Sequence, residues 1–108
     1  MQIEHFHFPR LKFADENDIF KQLQHIDLER KEVWDAFYEP SIEHFAEEIG
    51  DLAQSCMTML YIIERIYGIH PLDVIERNNV KNAARNYLPE GSSVQTKVCD
   101  GDADHHID

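Results

Sequence analysis

Residues 28–51 of the sequence read LERKEVWDAFYEPSIEHFAEEIGD, and near the centre of this stretch stands the tripeptide Glu39-Pro40-Ser41. Proline disfavours the helical conformation in the residue before it, and a serine directly after it can cap the start of a new helix. Helical patterns of apolar residues lie on both sides, so the stretch predicts two helices joined by a short turn. The expected result is an antiparallel helical hairpin.

Apolar residues recur at steps of three and four well beyond this turn. Before it, the pattern begins at about Asp15 and fits either one helix or two helices with a bend near His25. After it, the pattern predicts a helix over about residues 41–67, which Gly68 ends as a C-terminal cap. Pro71 fits the first turn of a further, C-terminal helix.

The chain divides into three segments by composition. Residues 1–13 contain several phenylalanines but little periodicity, and we expect them to form an extended N-terminal arm. Residues 14–88 form the predicted helical domain. No alternating pattern typical of strands occurs in the chain, so the expected fold class is all-α. Residues 89–108 begin with Pro89 and Gly91 and are polar and acidic, which predicts a disordered tail.

Composition excludes several classes of function. The 108 residues carry a formal net charge of −11, whereas binding to a nucleic-acid polymer requires lysine and arginine to neutralise phosphates. The longest strictly apolar stretch, residues 59–63, is far too short to span a membrane. Cys56 and Cys99 form neither a metal-ligand pair nor a disulfide framework, which indicates a reduced, cytoplasmic protein.

A chain of this length with 43% hydrophobic residues can form only a small core. Three helices with broad apolar stripes leave one face open, and at that face we expect Met57, Leu60 and Tyr61 to contact a second subunit. The sequence therefore predicts a homodimer or homotetramer in which helices of two chains form a core resembling a four-helix bundle.

Four acidic residues lie at matching distances from the turn. Glu32 and Glu48 are each eight residues from Pro40, and Glu29 and Asp51 are each eleven residues from it. Residues three apart share a helix face, so the two pairs are expected to face each other beside the apolar stripes. Carboxylates clustered at a half-buried position repel one another unless a cation lies among them, and oxygen ligands of this kind suit Mg²⁺ or Mn²⁺.

Two other interpretations of these acids compete with a metal site. Glutamate is common on solvated helix faces, and the chain contains 21 aspartates and glutamates, so either pair alone is more typical of a surface. A carboxylate-bridged di-iron centre requires Glu-x-x-His on two helices, whereas Glu32 and Asp51 occupy the corresponding positions here. Two pairs matched across one turn favour the Mg²⁺ or Mn²⁺ site over both.

The acids belong to a longer pattern. It consists of Glu29-x-x-Glu32, then Glu48-x-x-Asp51 after fifteen residues, and finally Lys81-Asn82-x-x-Arg85-Asn86-Tyr87. This pattern, over roughly residues 20–87, resembles the MazG-like all-α nucleoside triphosphate pyrophosphohydrolases, whose members carry EExxE, ExxD and often KNxxRGY. Leu28 stands in place of the first glutamate, and Asn86 in place of the glycine. Neither departure removes a presumed metal ligand.

The resemblance implies a metal-dependent hydrolase that converts a nucleoside or deoxynucleoside triphosphate to the monophosphate and pyrophosphate by water attack at the α-phosphorus. Its metal would be Mg²⁺, with Mn²⁺ as a substitute, held by Glu29, Glu32, Glu48 and Asp51. Either Glu32 or Glu48 would be the general base. The alternatives are hydrolysis of phosphoribosyl-ATP, and a non-catalytic helical protein that is stabilised by metal or binds a partner protein.

The resemblance also implies substrate contacts outside the acids. Lys81 and Arg85, four residues apart, fit a phosphate clamp, and Asn82 fits a contact to the sugar or a phosphate. Trp34 and Tyr87 can stack on a base, or they can fill the core or a subunit interface.

One histidine lies close to the acids in sequence. His25 precedes Glu29 by one helical turn, and it either braces that ligand or is an ordinary structural histidine.

Overall fold

The structure of the protein, a computed structural model, describes residues 8–89 and 91. All regular secondary structure in these residues is helical. The prediction of an all-α fold is therefore confirmed for these residues. The chain divides into two compact units, with the boundary between Gly68 and Ile69. None of the described helices has the length and apolarity needed to cross a membrane. The helices are α1 (Phe13–Glu16), α2 (Ile19–Phe37), α3 (Ile42–Tyr67) and α4 (Pro71–Ala84).

Two predicted segments fall partly outside this description. Residues 1–7 of the expected arm and nearly all of the expected tail after residue 89 lie outside the described residues, so both remain predictions.

Helix α2 is continuous and passes through His25 without interruption. The break in the helical pattern lies earlier, at Asn17 and Asp18, which separate the short helix α1 from α2. Asp18 caps α2, since its Oδ1 accepts a hydrogen bond from the N–H of Lys21 over 2.7 Å. The structure thus selects a single helix for the segment that leads into the turn.

Helix α3 begins and ends where the sequence predicts. The Oγ of Ser41 accepts a hydrogen bond from the N–H of His44 over 3.1 Å, so the serine is the N-cap. Gly68 follows the last residue with a φ of 75°, in the left-handed region that favours glycine. Both predicted caps are confirmed.

Contacts between α2 and α3 show that these two helices run antiparallel. Near their connection, the ring centroids of Phe37 and Phe45 lie 5.9 Å apart. At the far end, the side-chain amide of Gln22 donates to the carbonyl of Ser55 over 3.0 Å. An early residue of α2 therefore contacts the middle of α3, while the end of α2 contacts the start of α3, and the two helices form the expected hairpin around residues 38–41.

The interior of this first unit contains polar as well as apolar side chains. Gln22 is only 1% exposed, and its side-chain oxygen accepts a hydrogen bond of 2.8 Å from the amide of Asn17, while its nitrogen bonds Ser55 as described. Phe20 and Leu23, which belong to the apolar pattern of the same helix, are instead exposed. Buried apolar residues of the unit are Ala14, Ala36, Met59 and Ile62.

The substitution Gln22→Leu is expected to lower the free energy of unfolding by about 1–3 kcal/mol, because it leaves the buried amide of Asn17 without its acceptor. Urea unfolding followed by circular dichroism measures the change. The matched control is Gln24→Leu at an exposed position on the same helix, expected to change stability by less than about 0.5 kcal/mol. Equal stability of the two variants would contradict a structural role for this hydrogen-bonded bridge.

The second unit contains α4, with Pro71 in its first turn as predicted. After the helix, Asn86 has a φ of 61°, in the left-handed region. The N–H of Asn86 bonds the carbonyl of Ala83 over 3.0 Å, and the N–H of Tyr87 bonds that of Asn82 over 2.8 Å. These two bonds form a Schellman cap, which requires glycine or asparagine at the left-handed position. Asn86 therefore suits the position at which the MazG-like pattern has glycine.

We expect Asn86→Val to destabilise the second unit by about 1–2 kcal/mol, since a β-branched residue is strained at positive φ, whereas Asn86→Gly is expected to be neutral or slightly stabilising. Thermal unfolding of the variants provides the measurement. Asn78→Val, at an exposed position within α4, is the control because asparagine and valine have similar helix propensities. If both valine variants lose the same stability, the cap does not depend on the left-handed residue.

Candidate metal centre

Three carboxylates from two helices meet on one side of the hairpin. Glu29 on α2, and Glu48 and Asp51 on α3, each offer an oxygen, and these oxygens all lie within 4.8 Å of one another. Glu48 and Asp51 are one turn apart on the same face of α3, and the antiparallel packing places Glu29 beside both. The hairpin thus brings together three of the four acids that the sequence singles out.

The two glutamates of this cluster are largely removed from solvent. Their side chains are 15% exposed for Glu29 and 16% for Glu48, whereas Asp51 is exposed. The Oε2 atoms of Glu29 and Glu48 are buried and have no hydrogen-bond partner. Two ionised oxygens in this state are costly to bury, and a proton or a cation at the cluster would lower that cost.

The electrostatics of Glu29 show the cost of placing its charge in the cluster. The pKa of Glu29 is raised above its ordinary value of 4.5, first by burial and then by the negative charge of Glu32. The charges of Asp51 and Glu48 raise this pKa further, while His25 opposes them. Without a cation, Glu29 therefore holds a proton more tightly than an isolated glutamate does.

Glu32, the fourth predicted ligand, is placed differently. It lies one turn nearer the connection on α2, is exposed to solvent, and does not belong to the group of described carboxylates that are close enough to share a cation. It still acts on the cluster, since its charge raises the pKa of Glu29. Glu32 is a neighbour of the three-carboxylate cluster.

Each buried glutamate is paired with a histidine on its own helix. The Nε2 of His25 lies 3.2 Å from Oε1 of Glu29, and the Nε2 of His44 lies 3.1 Å from Oε1 of Glu48. The Nδ1 of His44 also contacts Glu39 over 3.0 Å, and the hydrogen bond to Glu39 is the main cause that raises the pKa of His44 above 6.5.

The sequence reasoning missed His44, although it named His25. The signal that identifies both is the spacing His-x-x-x-Glu, which occurs once on each helix of the hairpin.

The residues predicted to contact substrate lie outside this cluster or in the second unit. Trp34 is 55% exposed and so is not a core residue of the single chain. Lys81 and Asn82 are half-buried on the last turn of α4, Arg85 is its C-cap residue, and Tyr87 is exposed. Their roles at a substrate stay predictions.

The donor set fits a hard divalent cation. All ligand atoms that the cluster offers are carboxylate oxygens, and Glu29 and Glu48 each carry a buried Oε2 without a hydrogen-bond partner. Mg²⁺ and Mn²⁺ prefer such ligands and retain waters at the remaining positions, which the exposed side of Asp51 leaves accessible. The residues present are therefore able to hold either ion.

Comparison with known proteins found no family model that matches the chain, and neither a curated protein nor a solved structure that matches it.

Proposed function

We propose that the protein is a Mg²⁺-dependent nucleotide pyrophosphohydrolase, active also with Mn²⁺, that converts a nucleoside or deoxynucleoside triphosphate to the monophosphate and pyrophosphate. The observation that carries this proposal is the cluster of Glu29, Glu48 and Asp51, with its two buried and unpartnered oxygens. A carboxylate cluster suits many reactions. The choice of this reaction comes from the resemblance of the acid and Lys-Asn-x-x-Arg patterns to the MazG-like enzymes.

Bound at these carboxylates, the cation would orient the phosphates, spread the charge of the leaving pyrophosphate and lower the pKa of the attacking water. Glu29, Glu48 and Asp51 supply the ligand oxygens. Glu32, exposed beside them, is the candidate base that accepts the proton of the water, with Glu48 as the alternative. The oxygen of the water bonds to the α-phosphorus while the bond from that phosphorus to the β-phosphate oxygen breaks, which releases pyrophosphate.

Substrate binding also requires cationic and planar groups, which the acid cluster lacks. We assign the phosphate clamp to Lys81 and Arg85, with Asn82 at the sugar or a phosphate, on the strength of the pattern alone. A cavity of about 310 Å³ lies beside His25 and is lined in part by Phe13. Its volume falls in the range of small-molecule sites, and its aromatic wall makes it the candidate place for the base.

The test is a panel of ribo- and deoxynucleoside triphosphates incubated with Mg²⁺ or with chelator, in water enriched in ¹⁸O. The expected result is metal-dependent release of pyrophosphate, not orthophosphate, from a subset of the panel, with ¹⁸O in the monophosphate. If the protein binds Mn²⁺ but releases no pyrophosphate from any nucleotide of the panel or from phosphoribosyl-ATP, the enzymatic proposal is overturned. That result would favour a non-catalytic protein stabilised by metal.

A homodimer is the proposed working form, because one side of α2 is apolar and exposed. Four large residues of α2 lie on this side: Phe20, Leu23, Trp34 and Phe37. Their exposed fractions are between 53% and 70%, and they fall within an arc of about 100° at 3.6 residues per turn. The ion pair of Asp27 and Arg30 lies on the same side, midway between them. When two copies pair through antiparallel α2 helices, Phe20 and Leu23 of one copy lie near Trp34 and Phe37 of the other. In the same arrangement Asp27 of one copy faces Arg30 of the second copy.

Light scattering at micromolar concentration is expected to give the mass of a dimer or of a tetramer built from dimers, and Leu23→Glu is expected to shift it toward monomer. Leu28→Glu is the matched control, since Leu28 is exposed on the other side of the same helix. Met57, Leu60 and Tyr61, the interface residues expected from sequence, are half-buried within the single chain. A stable monomer of the unaltered protein would refute the dimer.

A further inference from the structure

A close histidine–glutamate contact occurs twice in the hairpin, as a hydrogen bond between His44 and Glu48 and as a close approach of His25 to Glu29. His25 and Glu29 on α2, and His44 and Glu48 on α3, are each four residues apart and so share one helix face. In both pairs the Nε2 of the histidine meets Oε1 of the glutamate, at 3.2 Å and 3.1 Å respectively. Two helices that run in opposite directions therefore present equivalent pairs to one cluster.

Both pairs divide the two carboxylate oxygens in the same way. In Glu29 and in Glu48, Oε1 is occupied by the histidine, and Oε2 is buried with no hydrogen-bond partner. A buried carboxylate oxygen without a donor is unfavourable, and a cation between the helices is a partner that satisfies two such oxygens at once. The histidines thus leave one oxygen of each glutamate for the cation.

Each histidine also has a second neighbour. The Nδ1 of His44 lies 3.0 Å from Oε1 of Glu39, which belongs to the connection between the helices. The ring of His25 lies near that of Phe13, with 6.3 Å between centroids. These contacts favour the observed orientation of the imidazole rings, and an oriented ring helps to orient the carboxylate beside it.

We propose that His25 and His44 are positioning residues of the metal site, each donating from Nε2 to Oε1 of the glutamate four residues later and so directing Oε2 to the cation. This inference rests on the proposed function only in taking Glu29 and Glu48 as metal ligands. An ordinary surface pair at this spacing adds only slightly to helix stability and has no effect on metal affinity. The two roles therefore differ in a measurable way.

The experiment is a calorimetric titration of Mn²⁺ into the full chain and into the variants His25→Leu, His44→Leu, His25→Gln and His44→Gln. Leucine removes the donor, whereas the glutamine amide nitrogen can occupy the place of Nε2. The leucine variants are expected to bind Mn²⁺ about 10–100-fold more weakly, and the glutamine variants to recover most of that loss. Gln24→Leu, an exposed neighbour of His25, is the control for the substitution itself.

Circular dichroism verifies that each variant is folded, and the glutamine pair keeps the test decisive if a leucine variant unfolds. Unchanged Mn²⁺ affinity in the folded leucine variants would overturn the positioning role, even if the protein hydrolyses nucleotides. Equal weakening by leucine and glutamine would also overturn it, because donation from Nε2 would then be irrelevant. Weakening by leucine with rescue by glutamine supports the role even if no nucleotide is turned over, so the two proposals fail separately.

Discussion

Replacement of Glu48 by glutamine is expected to lower the rate of metal-dependent pyrophosphate release at least about 100-fold. Cation stabilisation of the transition state is worth several kcal/mol, and the loss of about 2.7 kcal/mol corresponds to that factor. The variant should remain folded, because glutamine keeps the size of the side chain and removes one charge from a cluster of repelling carboxylates. Initial rates across a Mg²⁺ titration, for the best substrate of the panel, measure the effect.

Glu47→Gln provides the matched control. It makes the same change of charge one residue away, but Glu47 is exposed and outside the cluster, so its rate is expected to stay within about twofold of the parent. A folded Glu48→Gln protein with full turnover would remove Glu48 from the chemistry. Equal loss in both variants would point to long-range charge instead of coordination.

The second large effect expected is an opposite response of the metal-free and metal-bound proteins to pH. Without metal, the free energy of unfolding should fall as pH rises from about 5 to 8. Burial raises the pKa of Glu29 above 4.5, and the hydrogen bond to Glu39 raises the pKa of His44 above 6.5. A raised pKa means that the folded state binds the proton more tightly than the unfolded state. That stability is fully present below the unfolded pKa and is lost as pH rises through the folded pKa.

A divalent cation is expected to reverse this trend at the cluster, because it would bind the ionised carboxylates and displace the proton of Glu29. The increase in melting temperature on addition of Mn²⁺ is therefore expected to be larger at pH 8 than at pH 5.5. At a concentration 100 times the dissociation constant, the stabilisation is about 2.7 kcal/mol, or on the order of 10 °C for a domain of this size.

Melting curves at several pH values, with Mn²⁺ or with chelator, test this response. Glu29→Gln removes the titrating group and is expected to flatten the dependence of the Mn²⁺ effect on pH, while Glu47→Gln should leave it intact. A melting temperature that does not change with Mn²⁺ at any pH would contradict a cation site at these carboxylates.

Local interactions account for the features of the fold that could be predicted from sequence. The start of α3 at Ser41, its end at Gly68 and the place of Pro71 each depend on residues within one turn of the chain. Such interactions leave a direct mark on the order of amino acids, so the hairpin and its approximate ends follow from the sequence without knowledge of distant contacts. The pairing of acids on one helix face follows from helix geometry in the same way.

The burial of residues in α2 could not be predicted from its apolar pattern. Its periodic apolar pattern includes Phe20 and Leu23, yet both are exposed, whereas Gln22 between them is buried. The sequence specifies which residues share a face, but not which partner covers that face. The burial of Gln22 is tolerated because Ser55, from a distant part of the chain, accepts its hydrogen bond.

The sequence by itself determined the helices, the turn and the presence of paired acids on facing helices. Only the tertiary structure selected Glu29, Glu48 and Asp51 as the clustered set and left Glu32 at its edge. The physical reason is that these relations depend on the register and rotation of α2 against α3. Many weak contacts along both helices set that register together, and no short stretch of sequence records their sum.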